Sequence, residues 1–179
     1  CTLNILTFDS DAGKKAYRHT CAHVLAQAVK NLYPDAKLTI GPAIDNGYYY
    51  DFDMPSLDRD ALDAIEKEMK KIIKKGDRLE RYTLSKDEAI KLMTERDEPY
   101  KVEMIKEHPD TDELSFYQQG DFIEFCAGPH LMSTKPIKAF KLTASSGAYW
   151  RGDEHNKMLT RIYGTAYTKK ADLEEYLEY

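Results

Sequence analysis

The sequence is poor in cysteine. Three in 179 residues (Cys1, Cys21 and Cys126) cannot form the disulfide framework of a small secreted protein. It has no apolar run near the ~20 residues that cross a bilayer as a helix, and mean hydropathy is −0.64. It has no excess of positive charge: 26 Lys and Arg stand against 31 Asp and Glu, for a net charge of −5 and a pI near 5.6. That balance argues against a generic nucleic-acid coat, whose affinity comes from neutralising phosphates, but leaves room for a local basic patch. There is no internal repeat, low-complexity tract or signal peptide, which points to a reducing cytoplasm. An initiator methionine is also missing. The chain opens in an apolar-rich stretch, Cys1–Phe8, and closes inside a helical pattern, Lys169–Tyr179, so a piece of a longer protein is expected.

What is present suits a folded domain. Hydrophobic residues make up 42% and charged residues 32%, with 13 Tyr and 6 Phe to build a core. A chain this long buries roughly 70% of its unfolded surface, as one domain or two small ones.

Residues 2–8 read as a short strand. Ser10 or Asp11 caps a helix running to about Tyr33, where Pro34 stops it. Its apolar stripe is Cys21, Val24, Leu25, Ala28 and Leu32. Leu38–Ile44 and Tyr48–Asp53 flank Asp45-Asn46-Gly47, a hairpin signal because Asn and Gly tolerate positive φ. Asp58–Lys75 is a second helix, with Leu62, Ile65, Met69 and Ile72 inward and Gly76 ending it. Arg78–Leu84 is a strand. Ser85 with Glu88 forms a capping box for a helix to about Arg96, and a short helix follows over Val102–Glu107. Asp121–Cys126, Ile137–Thr143 and Met158–Tyr167 read as strands. Helices and strands do not alternate regularly, so the expected class is α+β with a mostly antiparallel sheet.

Two stretches carry metal-ligating or proton-transferring residues. In His19-Thr-Cys-Ala-His23 the histidines share a helix face roughly 160° from Cys21. They look away from the apolar stripe, toward solvent or a cleft. Thr20 stands where a zinc protease of the His-Glu-x-x-His type carries its glutamate, which argues against that chemistry. Cys126-Ala-Gly-Pro-His130 reads as a tight turn after a strand, because Pro129 disfavours helix at Gly128. Together His19, His23, Cys126 and His130 have zinc-ligand chemistry: three ligands and a water suit a hydrolase, four suit a closed structural site. Alternation puts Tyr48 and Tyr50 on one strand face and Tyr49 on the other. One of these faces is core and the other is able to stack a base. Ser145–Asp153 reads as a glycine-flanked loop holding the single tryptophan. Lys101 follows Tyr100 in a linker between helices, where a lysine is usually solvated. Lys70, Lys71, Lys74, Lys75, Arg78 and Arg81 form the best basic patch.

Taken together, Arg18-His-Thr-Cys-Ala-His23, Ile40-Gly-Pro-Ala-Ile-Asp-Asn-Gly-Tyr-Tyr-Tyr-Asp51, Tyr100-Lys101, Cys126-Ala-Gly-Pro-His130 and Gly147-Ala-Tyr-Trp-Arg-Gly-Asp153 resemble the editing domain of bacterial threonyl-tRNA synthetases. Asn156-Lys-Met-Leu-Thr-Arg-Ile-Tyr-Gly-Thr165 continues the likeness, which runs in order from about Leu3 to Tyr179. The resemblance implies the second additional (N2-type) domain, which hydrolyses the ester of serine wrongly attached to threonine tRNA. The parent enzyme is an ATP-dependent ligase of cytoplasmic protein biosynthesis.

The same resemblance assigns expectations residue by residue. His19 and Lys101 position and activate the attacking water. His23, Cys126 and His130 complete the pocket, and Tyr50 contacts the terminal adenosine or lines it. Glu124 stands where family members carry aspartate, as a substrate-binding carboxylate on a longer arm. No metal is required; His19, His23, Cys126 and His130 are the ligands if Zn2+ is bound. The partners are the 3′ end of tRNA(Thr) carrying serine and the other domains of the synthetase, with no membrane. Residues 1–9 become the tail of a preceding domain or a linker, 10–167 the editing domain and 168–179 the start of a helix toward the aminoacylation domain. Two rivals remain: a zinc-dependent, free-standing deacylase of the alanyl type, and a non-catalytic tRNA-binding module.

Overall fold

A computed structural model describes Phe8, residues 10–108, 113–125, 130–131 and 133–178. The expected strand over residues 2–8, Phe8 apart, and the turn from Cys126 to Pro129 lie outside the described residues.

The long first helix, α1 (Asp11–Leu32), starts where Ser10 accepts the Gly13 N–H at 3.1 Å. Only one stripe was expected to be apolar, yet α1 is buried nearly all round from Ala16 to Val29. The exception is Leu32, expected inward and 40% exposed, because the last turn runs past the core. Strands β1 (Lys37–Leu38), β2 (Ala43–Ile44) and β3 (Gly47–Asp53) follow. The Asn-Gly hairpin forms between β2 and β3, with Asn46 at φ 61°. Its first arm is two short strands, not one, because the chain bends at Gly41-Pro42. Gly41 lies so close under the Tyr50 ring that a Cβ there would overlap it.

Helix α2 (Arg59–Lys75) buries Leu62, Ile65, Met69 and Ile72 as the periodicity required and ends on Gly76 at φ 69°. Strand β4 (Leu79–Leu84) leads into α3 (Lys86–Glu95), opened by the Ser85–Glu88 capping box. Helix α4 spans Pro99–Lys106, three residues earlier than expected, because Pro99 occupies its first turn and supplies a preset φ. Tyr100 and Lys101 are therefore helical, not linker residues. Strand β5 (Leu114–Gln119) was not foreseen; β6 (Phe122–Phe125) was. Strand β7 (Ala139–Tyr149) extends through most of the segment read as a loop, which is reduced to one 3₁₀ turn over Trp150–Gly152. Strand β8 (Met158–Tyr167) and helix α5 (Lys170–Leu177) complete the chain.

All pairings among these strands are antiparallel, so the fold is α+β as the element order implied. One sheet runs β1-β3-β8-β7 with β2 beside β1 on the edge of β3; the other runs β4-β5-β6. α1 and α2 cover one face of the larger sheet, and the main core lies between, around Leu25, Ile65, Phe52 and Ile162. α3 and α4 cover the smaller sheet over Ala89, Met93, Ile105, Leu114 and Phe116.

Helix α4 ties the two units together. Glu98, its N-cap residue, is buried; one carboxylate oxygen accepts the Leu38 N–H at 2.8 Å and the other pairs with Lys30 at 2.9 Å. Tyr100 donates to Asp53 at 2.8 Å and meets Trp150 edge-on, with centroids 5.1 Å apart. Arg151 reaches Glu107 at 2.6 Å and Glu103 at 3.4 Å. The Gly147–Asp153 motif thus ends against α4.

Candidate active site

The seam between the two units holds a cavity of about 590 Å³, lined among others by His19, His23, Tyr50, Lys101 and Glu124. α1 contributes the two histidines. Spacing i, i+4 puts them on one face, and the smaller sheet covers that face, so they look into a cleft and not into solvent. His23 is fully buried and His19 half-buried. His130, just past the turn after β6, joins them. Its ring lies 4.3 Å from that of His19 and 4.0 Å from that of His23, centroid to centroid. One ring nitrogen of each lies within 4.8 Å of the other two. Cys126 lies outside the described residues, so the expected tetrad is seen as a triad.

Burial pulls the His23 pKa well below the usual imidazole range, helped by His130, His19 and the Lys101 ammonium. Burial, then His19, lowers His130 to about 2. Both rings are neutral at pH 7 and offer a lone pair to a proton or a metal ion.

Opposite them sits a buried polar group. Lys101, solvated on an ordinary reading of a lone lysine but placed in the site by the resemblance, is 4% exposed and ion-paired with Glu124, itself 2% exposed. The other Glu124 oxygen accepts the Tyr50 hydroxyl proton at 2.8 Å. Burial raises the Glu124 pKa, while Lys101 and Tyr50 oppose the rise. The longer arm of glutamate is thus taken up by protein partners within the cavity wall. Tyr50 lines the cavity as expected and Tyr48 lies in the core. Cys21 is a core residue too, its thiol donating to Tyr48 at 3.2 Å and pushed up to about 12 by burial.

Sequence reasoning missed Met104, His108 and Ser115 on the far wall. His108 and Met104 follow Lys101 on and just beyond α4; with α4 begun too late, nothing pointed to them. It also passed over Thr20, whose hydroxyl lies 3.1 Å from His130 Nδ1.

The donor set suits water attack on an ester: neutral imidazoles beside a buried ammonium, in a cavity larger than an amino acid. Residues 114–163, from β5 into β8, match the family described as the threonyl and alanyl tRNA synthetase second additional domain. The resemblance read from the motifs is upheld.

Related proteins agree along nearly the whole chain. It is 62% identical over 178 residues, 99% of its length, to a threonine--tRNA ligase of Acetivibrio thermocellus. It is 60% identical over 177 residues to one of Clostridium tetani and 61% identical over 177 to one of Caldanaerobacter subterraneus, each alignment covering 98% of the chain. The chain spans 27–28% of the length of these relatives. No helix among the described residues is long and apolar enough to cross a membrane.

Proposed function

We propose that this cavity hydrolyses the ester of serine misattached to threonine tRNA, as the post-transfer editing segment of a threonine--tRNA ligase. The observation that carries this is the convergence of His19, His23 and His130 with the Lys101–Glu124–Tyr50 group on one cavity. Serine lacks one methyl of threonine, and a missing methyl is worth only about 10–200-fold in binding. A synthetase that must do better needs a second site, and a snug one refuses threonine by the clash of its extra methyl.

The chemistry is general-base attack by water on an activated ester. His19, half-buried on the cavity wall, accepts the proton of the attacking water. The Lys101 ammonium holds that water and faces the developing oxyanion, where a fixed cation in a dry site is most effective. Glu124 aims Lys101 through their ion pair, and Tyr50 braces Glu124. His23 and His130, neutral, complete the wall around the seryl group or the terminal ribose, a role that the resemblance also assigns to Cys126. The partner is the 3′ end of tRNA(Thr), with the other domains of the synthetase supplying most phosphate contacts, in the cytoplasm. Residues 10–167 form the editing domain, 1–9 the tail of what precedes it and 168–179 the start of the helix beyond.

The three histidines also fit a zinc ion by ligand type, although nitrogens up to 4.8 Å apart must close to roughly 3.4 Å around a tetrahedral Zn2+. Such an ion would supply Lewis acidity and a bound water. Lys101 already presses its charge on His23, and a dication would meet the same repulsion. We therefore favour a reaction that needs no metal.

The deciding assay is hydrolysis of seryl- and threonyl-tRNA(Thr), with and without His19→Ala. The expected result is loss of the seryl ester alone, slowed at least 100-fold by the substitution. Hydrolysis of both esters alike, or full activity in His19→Ala, overturns the reading. Where the chain alone hydrolyses neither ester, the same substitution in the full-length synthetase decides the matter.

A further inference from the structure

Thr20 sits between the two helix histidines, fully buried, in a place that the chemistry above does not use. Three groups surround its hydroxyl. The Ala16 carbonyl oxygen is 2.8 Å away, the Leu131 backbone nitrogen 2.9 Å and His130 Nδ1 3.1 Å. A hydroxyl has one proton to give and two lone pairs. The Leu131 N–H can only donate, which takes one lone pair. The Ala16 oxygen can only accept, and two oxygens 2.8 Å apart with no proton between them repel, so the hydroxyl proton goes there. One lone pair remains for His130, and Nδ1 must then carry a proton. The 3.1 Å separation is ordinary for an N–H···O bond.

We propose that Thr20 is a positioning residue for His130: its hydroxyl accepts the Nδ1–H and holds the ring in the tautomer whose Nε2 bears the lone pair. A histidine's working nitrogen is set by the hydrogen bond that the other one makes. Here the partner is a side chain of α1, the helix that carries His19 and His23. One helix therefore supplies two of the three imidazoles and fixes the protonation pattern of the third. The Leu131 bond adds a second tie from the same hydroxyl, so Thr20 fixes both the tautomer and the backbone that follows it.

The consequence for hydrolysis rests on the editing reading; the tautomer itself does not. The test therefore has two arms. In the first, the 179-residue chain is labelled with 15N-histidine and long-range proton–nitrogen correlations are recorded at pH 7 for the wild type, Thr20→Val and Thr20→Ser. His130 should show a protonated Nδ1 and an unprotonated Nε2 in the wild type and in Thr20→Ser. Thr20→Val, which keeps the shape and removes the acceptor, should lose that pattern. A wild-type ring protonated at Nε2, or a Thr20→Val spectrum like the wild type, overturns the proposal. The wild-type and Thr20→Ser spectra test it even where Thr20→Val does not fold. In the second arm, seryl ester hydrolysis is measured for the same three. kcat should fall on the order of tenfold or more in Thr20→Val with KM within about twofold, and recover in Thr20→Ser, the size usual when the group orienting a histidine is lost. Should the wild type hydrolyse nothing even within the full-length synthetase, the editing reading fails and the first arm still decides the tautomer. An intact kcat in a Thr20→Val whose tautomer has changed refutes the catalytic half.

Discussion

Replacing Glu98 by alanine should be among the costliest single changes outside the cavity. Its carboxylate is buried at the head of α4 and makes two contacts: the Leu38 N–H at 2.8 Å and the Lys30 ammonium at 2.9 Å. Removing one partner of a buried pair costs about 3–5 kcal/mol when the other is left bare. Lys30 is not left bare, since it also donates to the Pro34 and Ala36 carbonyls at 3.0 and 2.9 Å and keeps 21% of its side chain exposed. The Leu38 N–H is the group that loses its acceptor, at about 1–3 kcal/mol. With the weakened Lys30 pair added, the loss is about 3 kcal/mol. At about 2–4 °C per kcal/mol for a chain of this size, the midpoint of thermal unfolding should drop by about 6–12 °C. Glu98→Gln keeps an acceptor for Leu38 and should recover part of the loss. Urea unfolding of the three proteins measures this directly. A loss below about 1 kcal/mol in Glu98→Ala would refute the reasoning, because it would mean that α4 is held by its apolar contacts alone.

Two further outcomes follow from the buried histidines. His23 and His130 both have folded pKa values below the unfolded 6.5, so the unfolded chain binds protons first. Their contribution to stability is full above about pH 6.5 and is lost as pH falls. Going from pH 7 to 5.5 should cost about 1.3 kcal/mol for each and about 2.5 kcal/mol for the pair, a ceiling because the raised Glu124 carboxyl works the other way. A urea midpoint that does not move over that interval, or a drop not reduced in His130→Asn, contradicts it. Exhaustive chelation should leave seryl ester hydrolysis unchanged; activity abolished by chelation and restored by zinc would transfer the reaction to a metal-assisted route.

What the sequence revealed about this fold was what single elements determine. The capping box at Ser85, the αL glycine at position 76 and the four inward residues of α2 are local signals, and each appears where it was read. The i, i+4 histidines were legible for the same reason: a rotation of about 100° per residue sets their common face whatever lies opposite. Errors arose where tertiary contacts decide. Ser145–Tyr149 looked like a loop because of its small residues, but five paired positions of β8, Met158–Ile162, hold that segment as strand. β5 was missed although Leu114 and Phe116 alternate with polar neighbours, because the pattern spans only six residues and its partners are other strands.

Lys101 shows the limit most clearly. An isolated lysine beside a tyrosine carries no sign of burial, and a charged group is buried only where a partner meets it. That partner, Glu124, comes two elements later, on the far side of β5. Neither residue's environment exists until the smaller sheet closes over α1, and the closure depends on Glu98 and Tyr100 gripping the larger sheet. Tyr100-Lys101 thus joins a tyrosine that anchors α4 to a lysine buried in the cavity wall, within one helical turn. Tyr100 fixes where α4 lies, and that placement directs Lys101 into the cavity. Hydrolysis should therefore be sensitive to changes at residues such as Trp150 that touch neither Lys101 nor the cavity.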